Sequence, residues 1–164
     1  MPKVPTISIK PQFKLGIDPG VSGGMALISS MGTFDEGIAF GNSTDHQIAE
    51  WLRIRLGFIH KAAIEKVNAM PRQGVVSMFT FGNSCGFLRG LLVAFQIPFV
   101  EVRPQVWQKA LRIPPKGSKT TTQHKKLLQA KAHQRWPKHC EEITKAVADA
   151  SLIAEWLRLQ EVDQ

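Results

Sequence analysis

Three carboxylates occupy positions where a structural residue would be apolar. Asp18 closes the run Leu15-Gly16-Ile17-Asp18 and precedes Pro19-Gly20-Val21-Ser22-Gly23-Gly24. The glycines of that turn permit positive φ and close approach of another backbone or a phosphate. Glu65 lies inside Ala62-Ala63-Ile64-Glu65-Lys66-Val67 and, at a period of two, shares a strand face with Ala63 and Val67. Asp149 falls in AVADASLIAEW, on the helix side that carries Ile153 and Trp156. An ionised carboxylate in such a place costs on the order of several kcal/mol unless a cation or hydrogen-bond donors satisfy it. A shared divalent-cation site meets that need, and hard oxygen donors suit Mg²⁺ or Mn²⁺, whereas no Cys/His spacing suits zinc. Singly, each acid has an ordinary reading as a turn former, a solvent-facing strand residue or a helix acid paired with Lys or Arg.

Charge adds the second half of the chemistry. The chain has 164 residues, 43% apolar and 21% charged, with 21 Lys+Arg against 13 Asp+Glu and a net charge of +8. Between Arg103 and Lys145 there are eleven Lys or Arg and two acids, so this segment carries +9 and the rest −1. A localised basic patch predicts a polyanionic partner, and a patch beside a metal site predicts phosphodiester chemistry. Arg112, Lys116, Lys119 and Lys126 lie in that segment and are candidate DNA contacts. Lys116-Gly-Ser-Lys-Thr-Thr-Thr122 lacks the glycine spacing of a nucleotide-binding phosphate loop and reads as a backbone-contact loop.

The elements that must position these groups are legible in outline. FKLGID, GMALIS and TFDEGIAF predict three strands of a meander. Asn42 to Asp45 offer N-caps for a helix through Leu56 that stops at Gly57. Residues 61–67 predict a central strand, and a long helix follows from Val75 to before Pro98. FVEV, 99–102, predicts the last strand, and Pro104 opens a short helix to Leu111. After a loop over 114–122, His124 to Trp136 and Thr144 to Leu159 predict two more helices. The order implies one α/β domain over 1–164 with a mixed sheet of about five strands flanked by helices, residues 1–12 being a loose lead-in. Two cysteines give no disulfide framework, and neither a secretory signal nor a membrane span is expected. A reduced, intracellular setting is expected.

Two features of the long helix stay open at this level. Met78, Phe79 and Phe81 are either core residues or an exposed apolar surface. Gly82, Gly86, Gly90 and Ala94 recur every four residues, and interior glycines cost about 1 kcal/mol each relative to alanine. Something is therefore expected to approach that face closely, either a partner helix or the sheet beneath.

LGIDPGVSGGMALI, AAIEKV, VRPQVWQKAL, a basic helix and VADASLIAEW, in this order over Phe13 to Arg158, resemble the RuvC family of Holliday-junction resolvases. The GFLRGLL helix and the Asp-Ala-x-Leu-Ile-Ala ending are most similar to its phage, bacterial and plant-chloroplast branch. The resemblance implies an RNase H-like fold, a homodimer, and Mg²⁺- or Mn²⁺-dependent active sites with two ions each. It implies nicking of opposed strands in a four-way DNA junction. It places Asp18, Glu65 and Asp149 at the metal and Lys125, eleven residues before Trp136-Pro137, at the active-site lysine, with neighbouring lysines as alternatives. It also assigns the 68–74 loop, with Met70 and Arg72, to contact with the junction centre.

One departure stands out. The family usually has another Asp or His three or four residues before the last aspartate, where this chain has Ala146 and Lys145. Three carboxylates suffice with water, or Lys145 or Glu142 takes part, or Ala146 is an inactivating substitution. The last case would leave a catalytically silent junction-binding protein. An actin-like ATPase shares the Gly-Ile-Asp-x-Gly turn, but its two large lobes exceed 164 residues.

Overall fold

The computed structural model describes residues 12–66 and 74–162. Five strands, β1 (Phe13–Asp18), β2 (Gly24–Ser29), β3 (Phe34–Ala39), β4 (Ile59–Glu65) and β5 (Phe99–Val102), form one sheet in the order β3-β2-β1-β4-β5. The meander β1–β3 pairs antiparallel, while β4 and β5 join parallel to β1 and to each other. β1 is therefore central, and its C-terminal end meets that of β4, with Ile17 opposite Ile64. Asp18 and Glu65 each follow that pair by one residue.

The helices are α1 (Asp45–Arg53), α2 (Val75–Ala94), α3 (Pro104–Ala110), α4 (Thr121–Arg135) and α5 (Lys145–Val162). Thr44 and Thr120 start α1 and α4 through reciprocal capping boxes with Gln47 and Gln123. The second box starts α4 three residues before the apolar stripe alone predicts.

Strand alternation divides the core in two. Leu15, Ile17, Met25, Leu27, Ala62 and Ile64 face α1 and α2. Ala26, Ile28, Ala63 and Val102 face α3, α4 and α5. The same alternation puts Asp18 and Glu65 on the α5 side, opposite in parity to Ile17 and Ile64. Helix α5 lies directly on β1: a Cβ on Gly16 would come within 1.9 Å of the Ala150 carbonyl oxygen. Small residues on both elements thus let the helix backbone touch the strand backbone. With the sheet below and α4 above, every residue from Val147 to Glu155 is buried, so α5 has no solvated face over this stretch.

Helix α2 departs from expectation. Only Leu88 and Leu92 are buried; Val75, Val76, Met78 and Phe79 are exposed and Phe81 is half-buried. The core reading of Met78 and Phe79 is therefore incorrect. The sheet is also excluded as the neighbour of the glycine stripe, since a Cβ on Gly82, Gly86 or Gly90 would meet nothing within 4 Å. Among the described residues no helix is long and apolar enough to cross a membrane.

Candidate active site

Asp18 at the end of β1, Asp149 on α5 and Lys125 on α4 meet on the α5 face of the sheet. Asp18 and Asp149 are only 6% and 3% exposed. Lys125 Nζ donates to Asp18 Oδ2 at 3.0 Å and to Asp149 Oδ2. The other oxygen of Asp18 accepts from the Gly20 amide at 3.2 Å. The turn after β1 uses its glycines for proximity: a Cβ on Gly23 would sit 2.2 Å from the Asp18 carbonyl oxygen. Gly20, Gly23 and Gly24 are not among the positive-φ glycines, so the positive-φ reading of this turn does not apply. Ser84 of α2 donates to the Pro19 carbonyl at 2.8 Å and ties the turn to the other layer.

Glu65 completes the group from β4. Trp107 on α3, fully buried, donates its indole N–H to Glu65 Oε1 at 2.9 Å. Burial, reinforced by Asp18, pushes the Glu65 carboxyl up to about 7 against the opposing hydrogen bond from Trp107. Burial likewise pushes Asp149 up to about 6, although Lys125 pulls it down. Burial disfavours the Lys125 ammonium, but Asp18 and Asp149 outweigh it and hold the group above its ordinary value. The ammonium thus serves as the counter-charge of two buried acids.

No three His, Cys, Asp or Glu among the described residues form a ready-made ligand cluster. Lys125, at the carboxylates, and Trp107, at Glu65, hold the acids in other contacts. The donor set nevertheless fits a hard divalent ion: three carboxylates from three elements, with the buried Asp149 Oδ1 lacking any hydrogen-bond partner. Lys145 is exposed and Ala146 half-buried. Glu142 bonds His139 at 2.9 Å at the surface, so neither Lys145 nor Glu142 joins the cluster.

Of the candidate DNA contacts, Arg112 and Lys116 line the cavity that Glu65, Lys125 and Asp149 border. Lys119 and Lys126 are exposed nearby in sequence, on the same loop and on α4. Met70 and Arg72 lie outside the described residues. Two contributors were not picked out from sequence: Trp107 and His124. His124 precedes Leu128 by four residues and so extends the Leu128, Ala132, Trp136 stripe, a signal that was available. Burial, helped by Lys119, Lys116 and Lys125, holds its imidazole below the ordinary histidine value. Glu155 is fully buried on α5 between Arg135 and Arg158, a pairing only the fold brings about.

A central antiparallel meander extended by two parallel strands, with an acidic helix laid across β1, defines an RNase H-like α/β fold. The fold is that of RuvC. Thermus thermophilus RuvC in complex with a Holliday junction substrate matches with a TM-score of 0.62 and 15% identity, covering 92% of this chain and 96% of that one. A second Thermus thermophilus RuvC structure gives 0.57 and 13%, covering 93% and 97%. No protein-family model and no curated protein matches in sequence.

Proposed function

We propose that this protein is a structure-selective DNA endonuclease that resolves four-way junctions by divalent-metal-dependent phosphodiester hydrolysis, acting as a homodimer. The observation that carries the reading is the convergence of Asp18, Glu65 and Asp149 around Lys125, beside a cavity rimmed by Arg112 and Lys116. The fold shared with a RuvC bound to a Holliday junction supports the substrate class.

Asp18, Glu65 and Asp149 would hold Mg²⁺ or Mn²⁺, two ions per site. Such ions supply an activated water and neutralise charge on the departing 3′ oxygen. Trp107 keeps one Glu65 oxygen occupied and so leaves the other for a ligand. Lys125, which donates to Asp18 and Asp149, would stabilise the extra negative charge of the reacting phosphate. Arg112, Lys116, Lys119 and Lys126 position the DNA backbone, with Met70 and Arg72 assigned to the junction centre by sequence alone. The open glycine face of α2, with exposed Val75, Val76 and Phe79, suits close approach of a second copy. Ala146 favours one alternative, a junction binder that does not cut.

Labelled four-way junctions and duplex DNA, incubated with and without Mg²⁺, test the proposal. Paired nicks in the junction only with Mg²⁺ support it. Tight binding without nicks selects the silent binder, and equal cutting of duplex removes structure selectivity.

A further inference from the structure

The cavity beside the acids is larger than a cation site requires. It has a volume of about 820 Å³ and lies between α3, the 111–120 loop and α4, with Glu65, Lys125 and Asp149 on its border. Sites that enclose small organic molecules span roughly 300–1,000 Å³. Ile113, Pro114, Pro115 and Leu128 give it apolar walls, while Arg112 and Lys116 add positive charge. Arg112 takes a φ of 55°, a left-handed conformation uncommon outside glycine. His124 lines the cavity, is only 9% exposed, and has a buried Nδ1 without a hydrogen-bond partner. Leaving such an atom unpaired costs about 1–3 kcal/mol, an incentive for the ring to turn toward a ligand that presents a donor or acceptor.

We propose that this cavity receives an unstacked nucleobase of the cleaved DNA strand, next to the phosphate at the acid cluster, and that the His124 imidazole hydrogen-bonds the base edge. Its chemistry selects this ligand. Apolar walls take the faces of a heteroaromatic ring, a polar atom reads its edge, and flanking cations take the adjoining phosphates. Phosphate or a metal ion alone would have no use for the Ile113 and Leu128 walls. A purely apolar ligand would leave the His124 imidazole unpaired and Arg112 and Lys116 without a counter-charge. The neutral imidazole offers one donor and one acceptor nitrogen, so the site distinguishes bases by hydrogen bonding as well as shape. The inference rests on the junction-nuclease reading for the position of the strand.

The test uses the full chain and four-way junctions carrying 2-aminopurine singly at each position around the crossover, in Ca²⁺ to prevent cutting. Among the lining residues only His124 is aromatic, and it meets the base at its edge instead of stacking on its face, so fluorescence is expected to rise severalfold at one position in each bound strand. Gln108→Trp, which introduces an indole at a half-buried lining position, is expected to abolish that rise. His124→Leu is expected to reduce discrimination among the four bases there by on the order of tenfold, about one hydrogen bond's worth. Thermal melts of both variants establish that they are folded. A rise that survives Gln108→Trp in a folded protein, or binding with no rise at any position, overturns the inference and leaves the nuclease reading intact. Failure of the parent protein to bind junctions overturns both.

Discussion

Lys125→Met tests whether the ammonium is the counter-charge that a divalent cation replaces. Methionine keeps an unbranched, helix-favouring side chain while removing the donor to Asp18 and Asp149. Removing one partner of a buried charge pair typically costs about 3–5 kcal/mol. For a chain of this size each kcal/mol moves Tm by about 2–4 °C, so a fall of about 6–20 °C is expected in EDTA at pH 8. Protonation of Asp149 would relieve part of this, placing the observed value toward the lower end. Mn²⁺ at a hundred times its Kd returns about 2.7 kcal/mol by linkage. The same concentration should raise the parent's Tm less, because there the cation competes with the ammonium. Scanning calorimetry with and without Mn²⁺ measures both, with Lys126→Met, an exposed neighbour, as the unaffected control. A Lys125→Met protein melting within about 2 °C of the parent in EDTA, or equal Mn²⁺ shifts in both, would show that the ammonium is not the counter-charge of these acids.

The remaining predictions concern protons, orientation and salt. Glu65 at about 7 and Asp149 at about 6 hold protons in the fold that the unfolded chain releases near pH 4–4.5. Their contribution to stability is therefore present at low pH and lost as pH rises through 6–7, by up to about 3 kcal/mol for Glu65. Melts in EDTA from pH 5 to 7.5 should fall more steeply in the parent than in Glu65→Gln; equal slopes would contradict this. Mn²⁺ binding should strengthen over the same window because the ligands must be deprotonated. Trp107→Phe removes the hydrogen bond that draws the Glu65 carboxyl downward, so the pH midpoint of Mn²⁺ binding, followed by electron paramagnetic resonance, should move up. An unchanged midpoint would assign Trp107 to packing alone. Junction affinity should fall linearly on a log-log salt plot, and Lys116→Ala should lower the slope by about 0.9, one phosphate contact; an unchanged slope would remove Lys116 from the interface.

The sheet and most helices could be read from the chain because period-two runs bounded by glycine turns leave little choice of strand. Asp18, Glu65 and Asp149 were legible because each breaks the pattern of its own element. What joins them was less legible. Lys125 was reached by resemblance, since periodicity treats it as one more lysine on a basic helix. Trp107 looks like a core residue from sequence, and its indole N–H acquires a role only when α3 meets the end of β4. Glu155 looks solvent-facing until α4 and α5 seal it between two arginines. The exposed glycine face of α2 was misjudged in one of its two readings because a stripe reports close approach without saying by what.

Strand cleavage by the parent protein and Asp18→Asn, compared on one labelled four-way junction in Mg²⁺, decides whether the carboxylate cluster carries out the reaction. The parent should introduce paired nicks, and the variant should bind the junction without cutting it. Cleavage by Asp18→Asn at the parental rate would contradict the assignment of the carboxylate cluster as the site of the reaction.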